Sequence, residues 1–354
     1  MWIPTRALAA LCLLLGPCAG VSAESAFSLG RGVNLVGNHG YYARSTTWAT
    51  PTGMDYYLGK GMRVFRIVVA WEWIQPKLDG DLDPTVLAAL RTEIDHLTAA
   101  GAHPIIDIHN FGRRNLTFGT SRDENVIIGE SPRVPASAFA DLWSRLGTAF
   151  KANPAVIFNL MNEPYDQDGP TLVATYNTTI KAVRATGATN TIMVDGNGFS
   201  GGWSWGKGGA ASNAVLMLKV EDPADRLIFD VHQYLDDWGA GKKTSCNAGT
   251  GASSLVGVTD WARTHRKRLF LGEFSSGRNA ACDVELKALL AFLGANTDVW
   301  TGYAWWGVYA GQAGYNTPDA GFWYTIDPGG GDAQDFSGAT PDDPRMTLLL
   351  AGPK

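Results

Sequence analysis

The fold is most clearly encoded in one stretch, Asn153-Pro-Ala-Val-Ile-Phe-Asn-Leu-Met-Asn-Glu-Pro164. Residues 155–161 form an almost continuous apolar run, which is typical of a strand buried on both faces. The run stops on Asn162-Glu163, whose polar side chains are costly to bury without partners. An ordinary strand followed by a polar turn explains this stretch equally well. A second run of the same design, Arg268-Leu-Phe-Leu-Gly-Glu273, favours a functional site, since it also ends on a lone glutamate.

Outward from this stretch, apolar runs alternate with helical patterns along the whole chain. The expected strands are 32–36, 63–69, 103–109, 155–161, 191–195, 227–232, 269–273 and 300–306. The expected helices are 51–61, 83–100, 136–151, 171–186, 253–267 and 283–295, with a broken helix at 213–220 and a segment at 346–350 that packs back on the barrel. This alternation predicts an α/β fold, a (β/α)₈ TIM barrel in a single domain. A doubly wound open sheet is the competing layout, but no Gly-rich phosphate loop follows the first strand.

Composition limits the classes of partner. The chain has 354 residues and a net charge of -5, so nucleic acid is not an expected partner. Thirteen Trp and eleven Tyr exceed what a core needs, which favours a surface that stacks flat ligands. No Ser/Thr/Pro-rich linker separates a second unit, and we expect a monomer.

The N-terminal segment predicts export. Arg6 precedes an apolar run at 7–15, and Val21-Ser22-Ala23 fits a signal-peptide cleavage site. The run is too short to span a bilayer. We therefore expect a signal peptide at 1–23, a folded domain at 24–354, and a secreted protein that leaves the membrane once the signal is removed.

Two cysteines remain after that segment is removed, Cys246 and Cys282. In an exported protein they are expected to form one disulfide, with two separately buried thiols as the alternative. Neither cysteine has the neighbouring Cys or His residues that a metal site needs.

Polar residues collect where barrel enzymes place their active sites, at the C-terminal ends of the strands. They are Arg66 within the second strand, His109 and Asn110 after the third, Asn162 and Glu163 after the fourth, His232 and Tyr234 after the sixth, Glu273 on the seventh and Trp306 on the eighth. Polar residues kept only for structure would not all gather at one end.

Taken together, these motifs resemble glycoside hydrolase family 5, and within it the fungal and bacterial endo-β-1,4-glucanases. The motifs are Arg66, Ile108-His109-Asn110, Asn162-Glu163-Pro164, Val231-His232-Gln233-Tyr234, Gly272-Glu273-Phe274 and Trp305-Trp306. The resemblance extends from Gly32 to Trp306. It implies a secreted endo-β-1,4-glucanase that acts on a β-glucan polysaccharide or oligosaccharide.

Retaining hydrolysis of a glycoside needs two carboxyl groups, one protonated and one ionised. Burial and a nearby second carboxylate favour the neutral form of Glu163, which we assign as general acid and then base. Glu273 stays ionised if Arg66 lies against it, and it attacks the anomeric carbon. An Arg66 that is paired only for structure is the alternative. No metal and no cofactor is expected, because two carboxyls carry the proton transfers.

The resemblance also implies roles for the surrounding residues. Asn162 would bind the sugar 2-hydroxyl, Tyr234 would orient Glu273, His232 would stand beside Glu163, and His109 and Asn110 would hold the sugar nearest the cleaved bond. Trp306 is expected to stack on a pyranose ring, with Trp305 as the alternative because adjacent strand residues point opposite ways. Asp107 and Asp195 are left as structural carboxylates.

The preferred glycan stays open at this point. β-Mannan, xyloglucan and mixed-linkage glucan are alternative substrates for the same two carboxyls. A non-catalytic glycan-binding barrel would be expected to have lost Glu163 or Glu273, and this chain keeps both.

Overall fold

The computed structural model describes residues 28–36, 48–120, 122–312, 324–330 and 334–354. The expected signal peptide at 1–23 lies outside the described residues. In chain order the strands are β1 Gly30–Leu35, β2 Val64–Val69, β3 His103–Ile108, β4 Arg113–Asn115, β5 Asn125–Ile127, β6 Ile157–Asn159, β7 Ile192–Asp195, β8 Leu227–His232, β9 Leu269–Phe274 and β10 Trp300–Val308. Within these residues, eight parallel strands close into a barrel in the order β1-β2-β3-β6-β7-β8-β9-β10, which confirms the predicted fold.

Helices cover the outside of the barrel. They are α1 Pro51–Gly59, α2 Trp71–Ile74, α3 Pro84–Ala99, α4 Ala136–Phe150, α5 Gly169–Ala185, α6 Asn213–Leu216, α7 Thr250–His265, α8 Ala280–Ala295 and α9 Pro344–Ala351. Local sequence sets where several of them begin. Asp83 caps α3 by accepting the N–H groups of Thr85 and Val86 at 2.9 and 3.0 Å, and Pro84 occupies the first turn.

The barrel interior is divided into an apolar layer and a polar layer above it. The apolar layer consists of Val64, Ile105, Ile157, Met193, Ile228, Phe270 and Ala304. Two residues further along five of these strands, where a side chain points the same way, stand Arg66, Asp107, Asn159, Asp195 and Asp230, all without exposed surface. Strand alternation therefore places four charged side chains and one amide nearer the C-terminal end of the barrel than the apolar layer.

Two expectations differ from the structure in detail. The strand predicted at 155–161 is only Ile157–Asn159, because the backbone leaves regular pairing before it reaches Glu163 in a left-handed conformation. The connection at 115–135 contains β5, which pairs antiparallel with β4 in a small hairpin that the apolar pattern did not indicate. The C-terminal segment does pack back, since Met346 and Leu349 of α9 are buried in the core.

The predicted disulfide is confirmed. Cys246 and Cys282 are bonded, with their Cα atoms 5.0 Å apart. The bond ties the loop that follows β8 to the first turn of α8, which follows β9. Among the described residues, the helices are all too short or too polar to cross a membrane.

Candidate active site

Two glutamates face each other at the C-terminal end of the barrel. Glu163 follows β6 and Glu273 lies on β9, and a carboxylate oxygen of each lies within 4.8 Å of the other. Glu163 has φ +44°, a left-handed conformation that is uncommon and strained outside glycine. Its backbone N–H donates to Oδ2 of Asp195 at 2.9 Å, which helps to hold that conformation.

The environment of Glu273 favours its ionised form. Nη1 of Arg66 donates to Oε1 of Glu273 at 2.8 Å, and the hydroxyl of Tyr234 donates to Oε2 at 2.8 Å. Burial alone would raise the pKa of Glu273, but His232, Arg66 and His109 outweigh it and lower the pKa below its ordinary value.

The environment of Glu163 acts in the opposite direction. Burial, and then the charge of Glu273, raise the pKa of Glu163, and this effect is only partly offset by His232. Nδ1 of His232 lies 2.6 Å from Oε1 of Glu163. About 15% of the Glu163 side chain remains exposed, so it can still meet a ligand. The two shifts are opposite in direction, so they favour a proton on Glu163 and a negative charge on Glu273.

Asn162 is fixed in one orientation by both ends of its amide. Oδ1 accepts from Nη2 of Arg66 at 2.6 Å, and Nδ2 lies 3.2 Å from Nε2 of His109. Nδ1 of His109 lies 2.7 Å from Oδ2 of Asp107. Asp107 and Asn162 thus hold the two ring nitrogens of His109 from opposite sides.

Trp306 and Trp305 point to opposite sides of β10. Trp305 has no exposed surface, and its Nε1 donates to the carbonyl of Tyr324 at 2.8 Å. Trp306 is partly exposed and stacks on His109, with ring centroids 5.3 Å apart and planes at 13°. Of the two, Trp306 is the one that lies beside the other predicted site residues.

A cavity of about 460 Å³ borders Glu163. It is lined by Glu163 and His232 at one end, and its aromatic lining includes Phe111, Phe199, Trp203, Tyr234 and Trp238. Phe199, Trp203 and Trp238 are 49%, 37% and 80% exposed, so these large rings are not buried in the core. Such a cleft offers flat apolar faces next to a carboxyl pair.

Comparison with known proteins identifies the family to which this chain belongs. The family model for cellulase, glycosyl hydrolase family 5, matches residues 28–308. The chain belongs to glycosyl hydrolase family 5. It is 33% identical over 269 residues to endo-beta-1,4-glucanase B of Aspergillus niger, covering 75% of this chain and 76% of that protein. It is also 32% identical over 292 residues to endoglucanase 3 of Humicola insolens, covering 81% of this chain and 70% of that protein.

A solved structure agrees with this family 5 assignment. The structure of XacCel5A in complex with cellopentaose matches with a TM-score of 0.81 and 33% identity, over 92% of this chain and 99% of that one. The protein described here is therefore a glycoside hydrolase.

Asn110 is held by two partners within this family 5 barrel. It follows β3 as predicted, but it has no exposed surface. Its Oδ1 accepts the N–H of Trp71 at 2.8 Å, and its Nδ2 donates to Oε2 of Glu72 at 2.8 Å. Both ends of the amide therefore have partners inside the protein, and a contact between Asn110 and the sugar stays a prediction.

Three buried carboxylates belong to the site although sequence reasoning left them out or called them structural. Asp107 contacts Arg66 at 3.2 Å as well as His109, and Asp195 holds the N–H of Glu163. Asp230 lies 3.7 Å from Nε of Arg66. A signal was present, because Asp107-Ile-His109 and Asp230-Val-His232 repeat one Asp-x-His pattern that puts both side chains on the same strand face.

Gly272 makes room for one of these carboxylates. A Cβ at this position would lie 2.2 Å from Oδ1 of Asp230, so only glycine lets the Asp230 carboxylate lie against β9. The carbonyl of Gly272 also accepts a hydrogen bond of 2.8 Å from Nδ2 of Asn34. Close packing against Asp230 therefore explains why the residue before Glu273 is a glycine.

Two groups of described residues have the spacing of metal ligands. They are Glu163, His232 and Glu273, and Asp195, Asp230 and His232, with the ligand atoms of each group within 4.8 Å of one another. Both groups share His232 and lie beside Arg66, whose Nη1 and Nε approach Glu273 and Asp230. These carboxylates therefore already have cationic partners. That the enzyme works without a metal stays a prediction.

Proposed function

We propose that this family 5 enzyme is a secreted endo-β-1,4-glucanase that cleaves internal bonds of β-glucan with retention of configuration. The observation that carries the proposal is the pair Glu163 and Glu273, whose closest oxygens lie within 4.8 Å and whose pKa values are moved in opposite directions. Retaining enzymes hold their carboxyls about 5–5.5 Å apart, whereas inverting enzymes leave room for a water molecule between them.

In the first step Glu273 attacks the anomeric carbon and Glu163 protonates the leaving oxygen. The bond from the anomeric carbon to the leaving oxygen breaks as an ester bond to Glu273 forms. Arg66 and Tyr234, which donate to the two oxygens of Glu273, keep it ionised and aim it before attack. The leaving sugar departs as a neutral alcohol, and Glu163 is left as a carboxylate.

In the second step Glu163 acts as a base. It takes a proton from water, and the resulting hydroxide equivalent attacks the anomeric carbon from the face that the leaving group vacated. The ester to Glu273 breaks, and both carboxyls return to their starting states. Two inversions give net retention.

Neighbouring residues hold the sugar. We assign the contact with the 2-hydroxyl to the amide of Asn162, which Arg66 and His109 hold in one orientation. Such a contact strengthens in the transition state. Trp306 offers its ring to the apolar face of a pyranose. The names of the Aspergillus niger and Humicola insolens relatives, and the cellopentaose bound to XacCel5A, support a β-1,4-glucan as the substrate.

Substrate choice and endo action are tested together. Purified enzyme is incubated in parallel with carboxymethylcellulose, β-mannan, xyloglucan and mixed-linkage glucan. The proposal expects the fastest reducing-end release from carboxymethylcellulose, with a fall in viscosity that precedes most of that release. Faster cleavage of mannan or xyloglucan would reassign the substrate. Proton NMR of the first products from a cello-oligosaccharide tests retention, since the β-anomer should appear first.

Secretion is part of the same proposal. The apolar segment at 7–15, the small residues at 21–23 and the Cys246–Cys282 disulfide, a bond typical of oxidising compartments, support export. N-terminal sequencing of the protein recovered from the culture medium should begin near Glu24. Recovery of the full chain, with Met1 retained, inside the cells would contradict this part of the proposal.

A further inference from the structure

His232 has carboxyl groups on both sides of its ring. On the cleft side, Nδ1 lies 2.6 Å from Oε1 of Glu163 and 3.6 Å from Oε2 of Glu273. On the inner side, Nε2 lies 3.7 Å from Oδ2 of Asp195 and 3.7 Å from Oδ2 of Asp230. The residue is only 3% exposed, so solvent does little to screen these charges. One imidazole thus stands among four carboxyl groups.

The two inner carboxyls have no task in the double displacement. Asp195 and Asp230 are completely buried, and one oxygen of each lies within 4.8 Å of the other. Two carboxylates this close in a buried site resist ionising together. Burial, and then the charge of Asp230, raise the pKa of Asp195 well above its ordinary value. The closeness and burial of the two carboxyl groups therefore favour one proton and one negative charge between them.

Both members of this pair are fixed in place. Oδ2 of Asp195 accepts the backbone N–H of Glu163 at 2.9 Å. Oδ2 of Asp230 accepts from Nδ2 of Asn159 at 3.1 Å, and Oδ1 accepts from the N–H of Val231 at 3.0 Å. At 3.7 Å from Nε2 the two carboxyls are beyond hydrogen-bond range of the ring. They act on His232 through their charge.

We propose that Asp195 and Asp230 are positioning residues of the acid/base: sharing one proton, they hold a negative charge behind His232 and keep its ring doubly protonated through both steps of catalysis. This inference rests on the proposed function, in which Glu163 is the acid/base. It adds to that function a group of residues that never touches the substrate.

A His232 ring that stays cationic can stabilise the negative charge as it passes from one glutamate to the other during the reaction. Before attack, Glu273 is the ionised member of the catalytic pair and Glu163 carries the proton. After the first step Glu273 is an uncharged ester and Glu163 is a carboxylate, so the negative charge has crossed from one to the other while its total is unchanged. Nδ1 of His232 lies close to both groups. A ring that keeps its protons attracts the charge in either place.

The electrostatic balance around His232 agrees with this role. Burial alone would lower the pKa of His232, but Glu273, Asp230 and Glu163 outweigh it and raise the pKa well above its ordinary value. The charged and titratable groups that face the ring or its partners are Glu163 after β6, Asp195 on β7, Asp230 on β8, Tyr234 after β8, Glu273 on β9, Arg66 on β2 and His109 after β3.

The first test uses the unmodified enzyme. With ¹⁵N-labelled histidine, the two ring nitrogens of His232 are followed by NMR as the pH is raised, and the signals are assigned by their loss in His232→Asn. Both nitrogens should stay protonated from about pH 5 to about pH 8, whereas an unperturbed histidine titrates near 6.5. A His232 ring that is neutral at about pH 7 would overturn the proposal, and this result does not depend on activity.

The second test compares Asp195→Asn, Asp230→Asn and the double variant. In each single variant the remaining carboxyl gives up the shared proton and takes over the charge, so the alkaline limb of kcat/KM should move by less than about half a pH unit. In the double variant no charge remains. Protons then leave His232 and Glu163 more easily, and the limb should move to lower pH by about one to three units.

The non-additive pattern distinguishes a shared charge from simple packing. Single variants that each give the full displacement, or a double variant with the limb of the unmodified enzyme, would refute the proposal. Glu285→Gln is the matched control: Glu285 is also buried and accepts backbone N–H groups, but it lies on α8 in the outer helices. If the double variant does not fold, the NMR titration decides.

The role of Glu163 and the shared charge of Asp195 and Asp230 are tested by different measurements. If Glu163 were not the acid/base, trapping of glycosyl azides by Glu163→Ala and Glu273→Ala would give the wrong stereochemistry, while the His232 titration would be unchanged. If the shared charge were absent, the titration would change and the azide products would not.

Discussion

Nη1 of Arg66 lies 2.8 Å from Oε1 of Glu273, and neither side chain has more than 4% of its surface exposed. The guanidinium also donates to Oδ1 of Asn162 and to Oδ1 of Asn34, at 2.6 and 3.0 Å. One buried cation therefore joins the expected nucleophile to the amide that is expected to bind the sugar. Substitution of Arg66 can remove the positive charge, or can keep the charge and remove only the forked hydrogen-bonding geometry of the guanidinium.

Arg66→Met should raise the pKa of Glu273, because a cation that lowers it is removed. Since Glu273 must be ionised to attack, the acidic limb of kcat/KM should move to higher pH by about one unit or more. Arg66→Lys keeps the charge but loses the fork, so kcat should fall while the acidic limb moves little. Circular dichroism checks folding, because an unpaired buried charge costs about 3–5 kcal/mol. Equal displacements of the limb in both variants would contradict a charge effect.

Azide rescue should distinguish the two glutamates. Glu273→Ala leaves room for azide at the anomeric carbon on the face that Glu273 occupied, so rescue should yield an α-glycosyl azide. Glu163→Ala still forms the ester when the substrate carries a good leaving group, and azide should then release a β-glycosyl azide. The anomer is read by proton NMR. Products with exchanged stereochemistry would show that the two roles are reversed.

The sequence predicted the barrel and the positions of Glu163 and Glu273 because apolar runs that end on a carboxylate are visible without coordinates. It did not predict that buried carboxylates lie next to the two glutamates inside the barrel. Asp230 sits in the middle of an apolar run and was not singled out, although its spacing from His232 puts both side chains on one face. The strand register shows that its side chain joins the polar layer. The partners of Asn110 were not predicted for a related reason: the turn after β3 directs its amide to Glu72 and Trp71, and strand alternation carries no information about a turn.

Removing the disulfide should reduce stability without altering the chemistry. The bond joins positions separated by 36 residues, and loops of this size are worth roughly 3–4 kcal/mol in the chain-entropy model. The double variant Cys246→Ser/Cys282→Ser should therefore unfold at a lower denaturant concentration with an unchanged pH profile. Thiol labelling of the denatured, unreduced mature protein should detect no free cysteine. A midpoint equal to that of the unmodified enzyme would show that the bond contributes nothing.

Glu93 should make the stability of the enzyme depend on pH. It is 2% exposed on α3, accepts the N–H of Ala49, and burial raises its pKa from 4.5 to about 8. Because the folded pKa is above the unfolded one, its contribution to stability is complete below about pH 4.5 and is lost as the pH rises to about 8. Glu93→Gln does not titrate. Its melting temperature relative to the unmodified enzyme should therefore rise between these pH values, and a constant difference would contradict this reading.

Trp306 is the residue whose replacement should weaken sugar binding while both glutamates stay in place. Its ring is partly exposed and stacks on His109 at 5.3 Å, whereas Trp305 is fully buried. Aromatic stacking on a flat ligand is worth roughly 1–3 kcal/mol, which is about 5- to 150-fold in kcat/KM. Some of that binding energy is expected only in the transition state, so Trp306→Ala should lower kcat as well as raise KM.

The control for this prediction is Trp306→Phe, which retains a ring over His109 and should recover much of the loss on cello-oligosaccharides. The pH profile of both variants should keep its shape, because the groups that set it, Glu163 and Glu273, still have their partners His232 and Arg66. Unchanged kinetics in Trp306→Ala would mean that the sugar stacks on the exposed aromatic rings of the cavity and not on Trp306. A displaced pH profile would instead mean that Trp306 acts through His109 on the electrostatics of the carboxyl pair, because the stacked ring shields that histidine from water.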